Sequence, residues 1–386
     1  MKQPAQKFFE EKTRRIGEET GTLEKRIFER PYLADLAQKI SQGNIKKVHI
    51  TGVCGKATSS LAGLFAEEGF DVSGSDVGCY PPASDLIDKL GIKFYEGFSE
   101  EYVKDKDLTV VANMFGPDNV EGAYVRNEHL PQLSMSEAIS EFFIKDKTSI
   151  VICGTHGKTT TTGLCAHVFL SAGLNPGFLV GGVAVPTEDG IKETSFSAGV
   201  LKTLSGQDTA SKTSNSSITS KHFIIEGDEY DTAYFDKSPK FLHYKPNIAV
   251  VTSLEFDHAD IYADFNEYKK SFVFLAEEVQ GNAQGTQDGF NKNSDQVDVK
   301  GLLVLNGDSD EVRSLATHTT ADVLYYGLKE TNDIYAKDIK IGNKGQEFTL
   351  VYKGQDIPGF NIKLFGAYNL MNTLAVIAIA VHEGLT

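Results

Sequence analysis

The sequence predicts an α/β protein of two helix-covered parallel sheets, the second with a small antiparallel flank, on three observations. Apolar runs of strand length alternate along the chain with segments of helical periodicity. Two of those runs, KKVHITG at 46–52 and TSIVIC at 148–153, run into glycine turns that open helices. Toward the C-terminal end, segments such as EFTLVY and FNIKLF alternate apolar and polar residues, which suits antiparallel pairing.

The first element is a helical extension over residues 1–45, with Phe8, Phe9, Ile16, Leu23, Ile27, Leu33 and Leu36 among charges and breaks at Gly17, Gly21 and Pro31. The first sheet domain is expected over 46–145. It starts with strand 46–52, a helix to about Gly69 and a short strand ending at Ser75-Asp76; a strand at Leu108–Ala112 and a helix at Ser136–Phe143 follow. A boundary near Lys145 opens a second domain over 146–386. Its strands are TSIVIC, His222–Glu226, Ile248–Thr252 and Leu302–Leu305, with the flank between about Ala336 and Phe365. Two polar tracts, Thr203–Ser220 and Gly281–Asp298, read as surface loops.

A chain of 386 residues is long enough for two or three cores. With 40% hydrophobic and 24% charged residues and 36 glycines, it has a globular composition rich in loop punctuation. A net charge of −15 argues against a general nucleic-acid or anionic-membrane partner, so an anionic ligand must meet local positive potential. The N-terminus, MKQPAQKFFEEKTRR, lacks the apolar stretch of a secretory signal, and no run is long enough to span a bilayer. Cys54, Cys79, Cys153 and Cys165 show neither a CxxC pair nor metal-finger spacing; four reduced thiols in a cytoplasmic protein are expected.

The most informative segment is GTHGKTTT, Gly154–Thr161, set between an apolar strand and a helix. There the amides of a glycine turn and a helix N-terminus can wrap an anion. Gly154, Thr155, His156 and Gly157 form the turn, Lys158 is placed to reach the β- and γ-phosphates, and Thr159 to offer a hydroxyl to Mg²⁺. The spacing is GxxGKT, with Ile152 where the longer form of this loop has glycine. Thr160, Thr161 and Thr162 open the helix; Thr160 is counted with the loop but given no chemistry of its own.

Two polar clusters follow strands and so reach the sheet edge at which ligands bind in open α/β sheets. EGDEYD (226–231) leaves the strand HFII, making Glu226 the expected metal ligand, with Asp228, Glu229 and Asp231 as weaker ones. LEFDHAD (254–260) leaves the strand IAVVT, and its His258 is placed to bind a second Mg²⁺ or a phosphate oxygen.

The first turn, GVCGKATSSLAG at 52–63, also joins a strand to a helix, and Asp76 lies 21 residues beyond Gly55. That is the layout of a dinucleotide-binding unit without its strict GxGxxG, and the diphosphate of a UDP-sugar fits it equally well. Lys56 is either a phosphate contact or a surface charge.

Taken together, GSDVGCYPP (74–82), GTHGKTTT (154–161), PGFLVGG (176–182), EGDEYDTAYFDKSPKFLHY (226–244) and LEFDHADIY (254–262) resemble the Mur ligases, which join an amino acid or peptide to a UDP-muramyl precursor. The likeness covers roughly residues 46–386. It implies a Rossmann-like domain holding a UDP-sugar through Gly52, Cys54, Gly55, Lys56, Ser75, Asp76 and Asn113, and a P-loop-type ATPase domain using ATP and Mg²⁺. Thr159, Glu226 and His258 then hold metal, Lys158, Glu226 and His258 form the catalytic set, and Asn369 and Asn372 of GAYNLMN lie by the nucleotide. The substrates implied are UDP-N-acetylmuramate and a murein tripeptide, joined through an acyl phosphate; a sibling branch that adds L-alanine shares the loop and the acidic core.

Three departures stand out. Tyr368 occupies the place of the family's histidine before Asn369, and Ser271 the place where some members carry a carbamylated lysine, so no modified lysine is expected. The sequence stops at EGLT, where the family continues into a third, Rossmann-like domain, so two of the three family domains are expected here.

Overall fold

In the computed structural model, residues 30–182, 194–201, 218–256, 262–279 and 301–385 are described. Most of the expected N-terminal helical stretch, both polar tracts but for 218–220, and His258 lie outside them. Helix α1 (Leu33–Ser41) belongs to that N-terminal stretch and buries Leu36. Just before it, Arg30 Nη1 lies 2.7 Å from Glu137 Oε1, tying the start of the described chain to a later helix.

The first sheet is made by β1 (Lys47–Thr51), β2 (Asp71–Asp76), β3 (Lys93–Glu96), β4 (Leu108–Val111) and β5 (Gln132–Ser134). Its order is β3-β2-β1-β4-β5, every pair parallel. Parallel neighbours need crossovers, which α2 (Lys56–Glu67), α3 (Ala83–Leu90) and α4 (Val120–Asn127) supply. β4 (LTVV) is buried on both faces and mostly apolar, and β1 (KVHIT) is buried beyond its first residue, whereas β3 is a half-exposed edge with a weak signal. Helix α5 (Met135–Ile139) starts on a capping box of Ser134 with Glu137 and runs into a π-helical turn, Ser140–Ile144.

The second sheet has ten strands. β6 (Thr148–Cys153) leads into α6 (Lys158–Ser171), then β7 (Gly177–Leu179) and β8 (Phe196–Ser197). Two-residue strands β9 (Val200–Leu201) and β10 (Ile218–Thr219) pair with each other, after which β11 (His222–Gly227) returns to the sheet. A small ladder of β12 (Asp231–Ala233) and β13 (Asp236–Pro239) leads through α7 (Lys240–His243) to β14 (Ile248–Val251) and α8 (Phe265–Glu278). β15 (Leu302–Asn306), α9 (Asp310–Arg313) and β16 (Asp322–Gly327) follow, and the flank of β17 (Ile334–Gly342), β18 (Gly345–Tyr352) and β19 (Gln355–Ile362) precedes α10 (Ala367–His382). The order is β19-β18-β17-β16-β15-β14-β6-β11-β7-β8. Strands β16 to β7 are parallel, and β17-β18-β19 is the antiparallel flank.

One apolar core runs from the first sheet onto one face of the second, through Phe65, Phe143, Phe223 and Phe272. The opposite face packs under α6 and α10 around Phe169, Tyr326 and Leu374. Burying each large side chain contributes roughly 1.5–3 kcal/mol. Helix α2 is joined to the second sheet: Ser60 Oγ lies 2.8 Å from Ser195 Oγ, and Ala198 N–H donates to Glu67 Oε2 at 2.7 Å.

The four-thiol expectation is corrected. Cys54 and Cys79 form a disulfide, with Cα atoms 5.2 Å apart. β1 and β2 lie side by side in parallel, so the turns leaving their C-terminal ends meet, a pairing that a separation of 25 residues conceals in the sequence. Cys153 and Cys165 are free and buried, and burial pushes both thiols up.

Candidate functional site

Each sheet has a strand whose two neighbours connect in opposite directions, β1 between β2 and β4 and β6 between β14 and β11. Such switch points open a crevice at the strand's C-terminal end. Both crevices receive a glycine turn.

At the second crevice, Gly154 and Gly157 take φ of +123° and +85°, a region that disfavours side chains. A Cβ at Gly154 would stand 2.3 Å from Thr252 Oγ1, and one at Gly157 2.7 Å from Asn372 Oδ1. The turn is fastened to the end of β14: Thr155 N–H donates to Ser253 O, His156 N–H to Ser253 Oγ at 2.9 Å, and Thr252 Oγ1 to His156 O at 2.5 Å. The amides that open α6 face out of its N-terminus, as at any helix start.

Lys158 folds back over this turn. Its Nζ donates to Gly154 O at 2.6 Å and lies 3.0 and 3.3 Å from the Glu229 carboxylate oxygens. Glu226 emerges at the end of β11, the strand beside β6, and Thr159 Oγ1 donates to its Oε2 at 2.8 Å. Burial and the neighbouring Asp228 raise the Glu226 carboxyl. Burial raises Glu229 as well, although Lys158 opposes the shift. Asp228 and Asp231 pair instead with Lys240 (3.2 Å) and Lys237 (2.9 Å).

Several contributors escaped the sequence reading. Gly181 leaves room for Glu226, since a Cβ there would meet Oε1 at 2.0 Å; the signal was the VGG that ends PGFLVGG. Thr252 and Ser253 were hidden in the end of a strand. Asn372 Oδ1 stands 2.7 Å from where a Cβ at Gly157 would lie, while Asn369 donates to Phe365 O at 2.8 Å and Tyr368 is exposed. Thr160 is also exposed. Ser271 is buried and donates to Tyr262 Oη, which donates to the carbonyl of Glu229.

At the first crevice Gly52 has φ +83°, and a Cβ there would strike Phe115 at 2.3 Å. All four turn amides have protein acceptors: Gly52 and Val53 donate to Ser75 O, Gly55 to Gly52 O and Cys54 to Asp76 Oδ2 at 3.0 Å. Lys56 is exposed. The Ser75 hydroxyl is turned into the sheet, donating to Glu121 Oε2 at 2.6 Å, so it is unavailable to a ligand in this arrangement. Glu121 also accepts from Thr51 and lies 3.3 Å from His49 Nε2; burial pushes its carboxyl up, and these bonds outweigh that and lower it. Asn113 is exposed and donates to Asp231 O at 3.5 Å, toward the second sheet.

Comparison with known proteins gives one consistent answer. The Mur ligase family catalytic domain matches residues 47–146, and the Mur ligase middle domain matches residues 152–380. UDP-N-acetylmuramate–L-alanyl-γ-D-glutamyl-meso-2,6-diaminoheptandioate ligase of Escherichia coli is 30% identical over 340 residues, covering 88% of this chain and 65% of the relative. UDP-N-acetylmuramate–L-alanine ligase of Chlorobaculum parvum is 30% identical over 347 residues, covering 89% and 62%. This chain therefore spans less than two thirds of either relative. Among solved structures, UDP-N-acetylmuramate:L-alanyl-γ-D-glutamyl-meso-diaminopimelate ligase from Neisseria meningitides superposes with TM-score 0.71 at 33% identity, covering 88% of this chain and 94% of that one. A murein peptide ligase from Psychrobacter arcticus gives 0.69 at 27% identity, covering 88% and 66%. With the middle-domain match alone taking in more than half of its residues, the chain belongs to the Mur ligase family.

Proposed function

We propose that this chain carries the two nucleotide sites of an ATP-dependent ligase that joins L-alanyl-γ-D-glutamyl-meso-diaminopimelate to the lactyl carboxylate of UDP-N-acetylmuramate. The observation that carries the proposal is the pair of strand–GxxGK–helix turns at two switch points, the second equipped with Lys158, Thr159 and Glu226. On this reading residues 46–145 bind the UDP-sugar through the 52–56 turn, Asp76 and Asn113, and residues 146–386 bind ATP.

A carboxylate is a poor electrophile, so it is first phosphorylated: its oxygen attacks the γ-phosphorus and ADP leaves. The peptide amine then attacks the acyl carbon, loses a proton and expels phosphate. Lys158 neutralises charge on the transferring group, while the amides at the α6 N-terminus orient the phosphates. Thr159 Oγ1 and Glu226 Oε2, 2.8 Å apart, are hard oxygen donors of the kind Mg²⁺ takes. Among the described residues no group of three or more His, Cys, Asp or Glu is placed to hold a metal ion. When bound, Mg²⁺ supplies charge stabilisation to the phosphates. His258 joins this set by the family pattern. Tyr368, exposed at the start of α10, stands at the sequence position of the family's histidine.

A second reading, transfer of L-alanine alone, is favoured by the equal identity to an L-alanine ligase. A cytoplasmic setting belongs with either reaction; no helix among the described residues is long and apolar enough to cross a membrane. The test is ADP release from Mg-ATP and UDP-N-acetylmuramate with tripeptide or L-alanine as acceptor, with products weighed by mass spectrometry. Tripeptide-dependent release and the ligated mass support the proposal. An L-alanine product moves the assignment to the sibling branch, and binding of both nucleotides without turnover leaves a UDP-sugar/ATP-binding module.

A further inference from the structure

Three acids leave the end of β11, and each faces a different partner. Glu226 faces Thr159, Asp228 faces Lys240, and Glu229 faces Lys158. Glu229 is only 1% exposed. Its backbone is held from α8, because Tyr262 donates to its carbonyl and Ser271 donates to Tyr262 at 3.2 Å. The ammonium of Lys158 lies within 3.3 Å of both carboxylate oxygens and 2.6 Å from the Gly154 carbonyl, directed at protein acceptors.

We propose that Glu229 is a positioning residue acting through Lys158, a buried counter-ion that holds the ammonium against the turn and yields it to an incoming phosphate. The inference rests on reading residues 154–159 as the ATP phosphate loop. A carboxylate and a phosphate at one ammonium repel each other, and the repulsion is strong where water is excluded. Replacing the carboxylate by an amide removes that repulsion from the bound state. It also leaves a buried ammonium without its counter-ion in the unbound state, which destabilises that state. Both changes favour nucleotide binding. Damage to the fold would weaken binding, so a gain in affinity separates this role from a merely structural one.

The experiment is calorimetric titration of the chain with a non-hydrolysable ATP analogue and Mg²⁺ at fixed ionic strength, together with thermal melts, for wild type, Glu229→Gln and Glu229→Asp. Glu229→Gln is expected to bind about tenfold more tightly, from electrostatic repulsion of this size. Its melting temperature should start lower and rise further on adding ligand. Glu229→Asp keeps the charge but retracts it, and should tighten binding by a smaller factor, which provides the readout if the amide variant does not fold. Unchanged or weaker binding in the folded variants overturns the role of Glu229 while leaving the phosphate loop intact. No binding by wild type overturns the phosphate-loop reading, and this inference with it.

Discussion

Both sheets end their first switch-point strand in the same pattern, Gly52-Val-Cys-Gly55-Lys56 and Gly154-Thr-His-Gly157-Lys158, yet the two turns differ in nearly everything that bears on chemistry. Gly55 is extended, at φ −65° and ψ 150°, whereas Gly157 is left-handed. In the first turn the acid of the neighbouring strand, Asp76, caps the Cys54 amide; in the second, Glu226 accepts from the Thr159 hydroxyl. Lys56 stands in solvent, while Lys158 is folded onto the turn and paired with Glu229. One turn is fastened covalently to the next loop by Cys54–Cys79, the other by hydrogen bonds to Thr252 and Ser253. The five letters specify a turn, and the adjacent strand ends decide what the turn can do.

The largest effect is expected at Lys158. Lys158→Ala should weaken binding of the Mg-ATP analogue on the order of 1000-fold, through loss of charged hydrogen bonds to phosphate, and leave UDP-N-acetylmuramate binding unchanged by calorimetry. Equal losses for both nucleotides would erase the distinction between the turns.

Next comes the staple. By the chain-entropy argument, opening a loop of this length costs about 3 kcal/mol, so Cys79→Ser should lower stability by that order in denaturant melts. Wild type plus a reducing agent should show the same loss, and the variant should be indifferent to the agent. A wild type insensitive to reduction would speak against a contribution from the disulfide.

The glycines sharpen the contrast. Gly154→Ala places a Cβ against Thr252 and Ser253 in a left-handed conformation and should cost about 2 kcal/mol or more. Gly55→Ala, at an N-cap with φ −65°, crowds chiefly the Thr58 hydroxyl and should cost about 1 kcal/mol or less, read from urea midpoints. A reversed order would show that the backbone strain lies in the other turn.

Acid sensitivity is assigned to the second sheet's excursion. Burial pushes the Asp236 carboxyl up, but bonds from His243 and Ser238 outweigh it and hold the group at about 2, against an ordinary 3.8. Its folded value is depressed, so its stabilisation, up to about 2 kcal/mol, is present above pH 3.8 and lost as pH falls toward 2. Asp236→Asn should flatten that limb of the stability–pH curve, and an unchanged limb would assign it elsewhere. Smallest of all, Lys56→Ala should change stability by no more than about 0.5 kcal/mol in the same melts, as expected of an exposed side chain.

Much of this architecture was legible because the physics is local. Strands β4, β6, β11, β14 and β15 are largely buried on both faces and read as mostly apolar runs, and the glycine turns announce themselves between strand and helix. The end of HFIIE places Glu226 at a strand terminus from the sequence alone. Short or half-exposed elements such as β3, β5, β7 and β8 lack a period long enough to read. What stayed hidden depends on register between distant segments. The disulfide needs β1 beside β2, and the Ser75–Glu121 bond needs α4 folded over that pair. Ranking Asp228 against Glu229 needs the positions of Lys240 and Lys158, which no spacing in EGDEYD encodes.

The central claim, two nucleotide sites on two sheets, is tested most directly by titrating UDP-N-acetylmuramate onto the chain with and without a saturating Mg-ATP analogue. The account predicts one equivalent bound in both titrations, with the analogue still in place. Displacement of one nucleotide by the other would mean a single shared site and would contradict it.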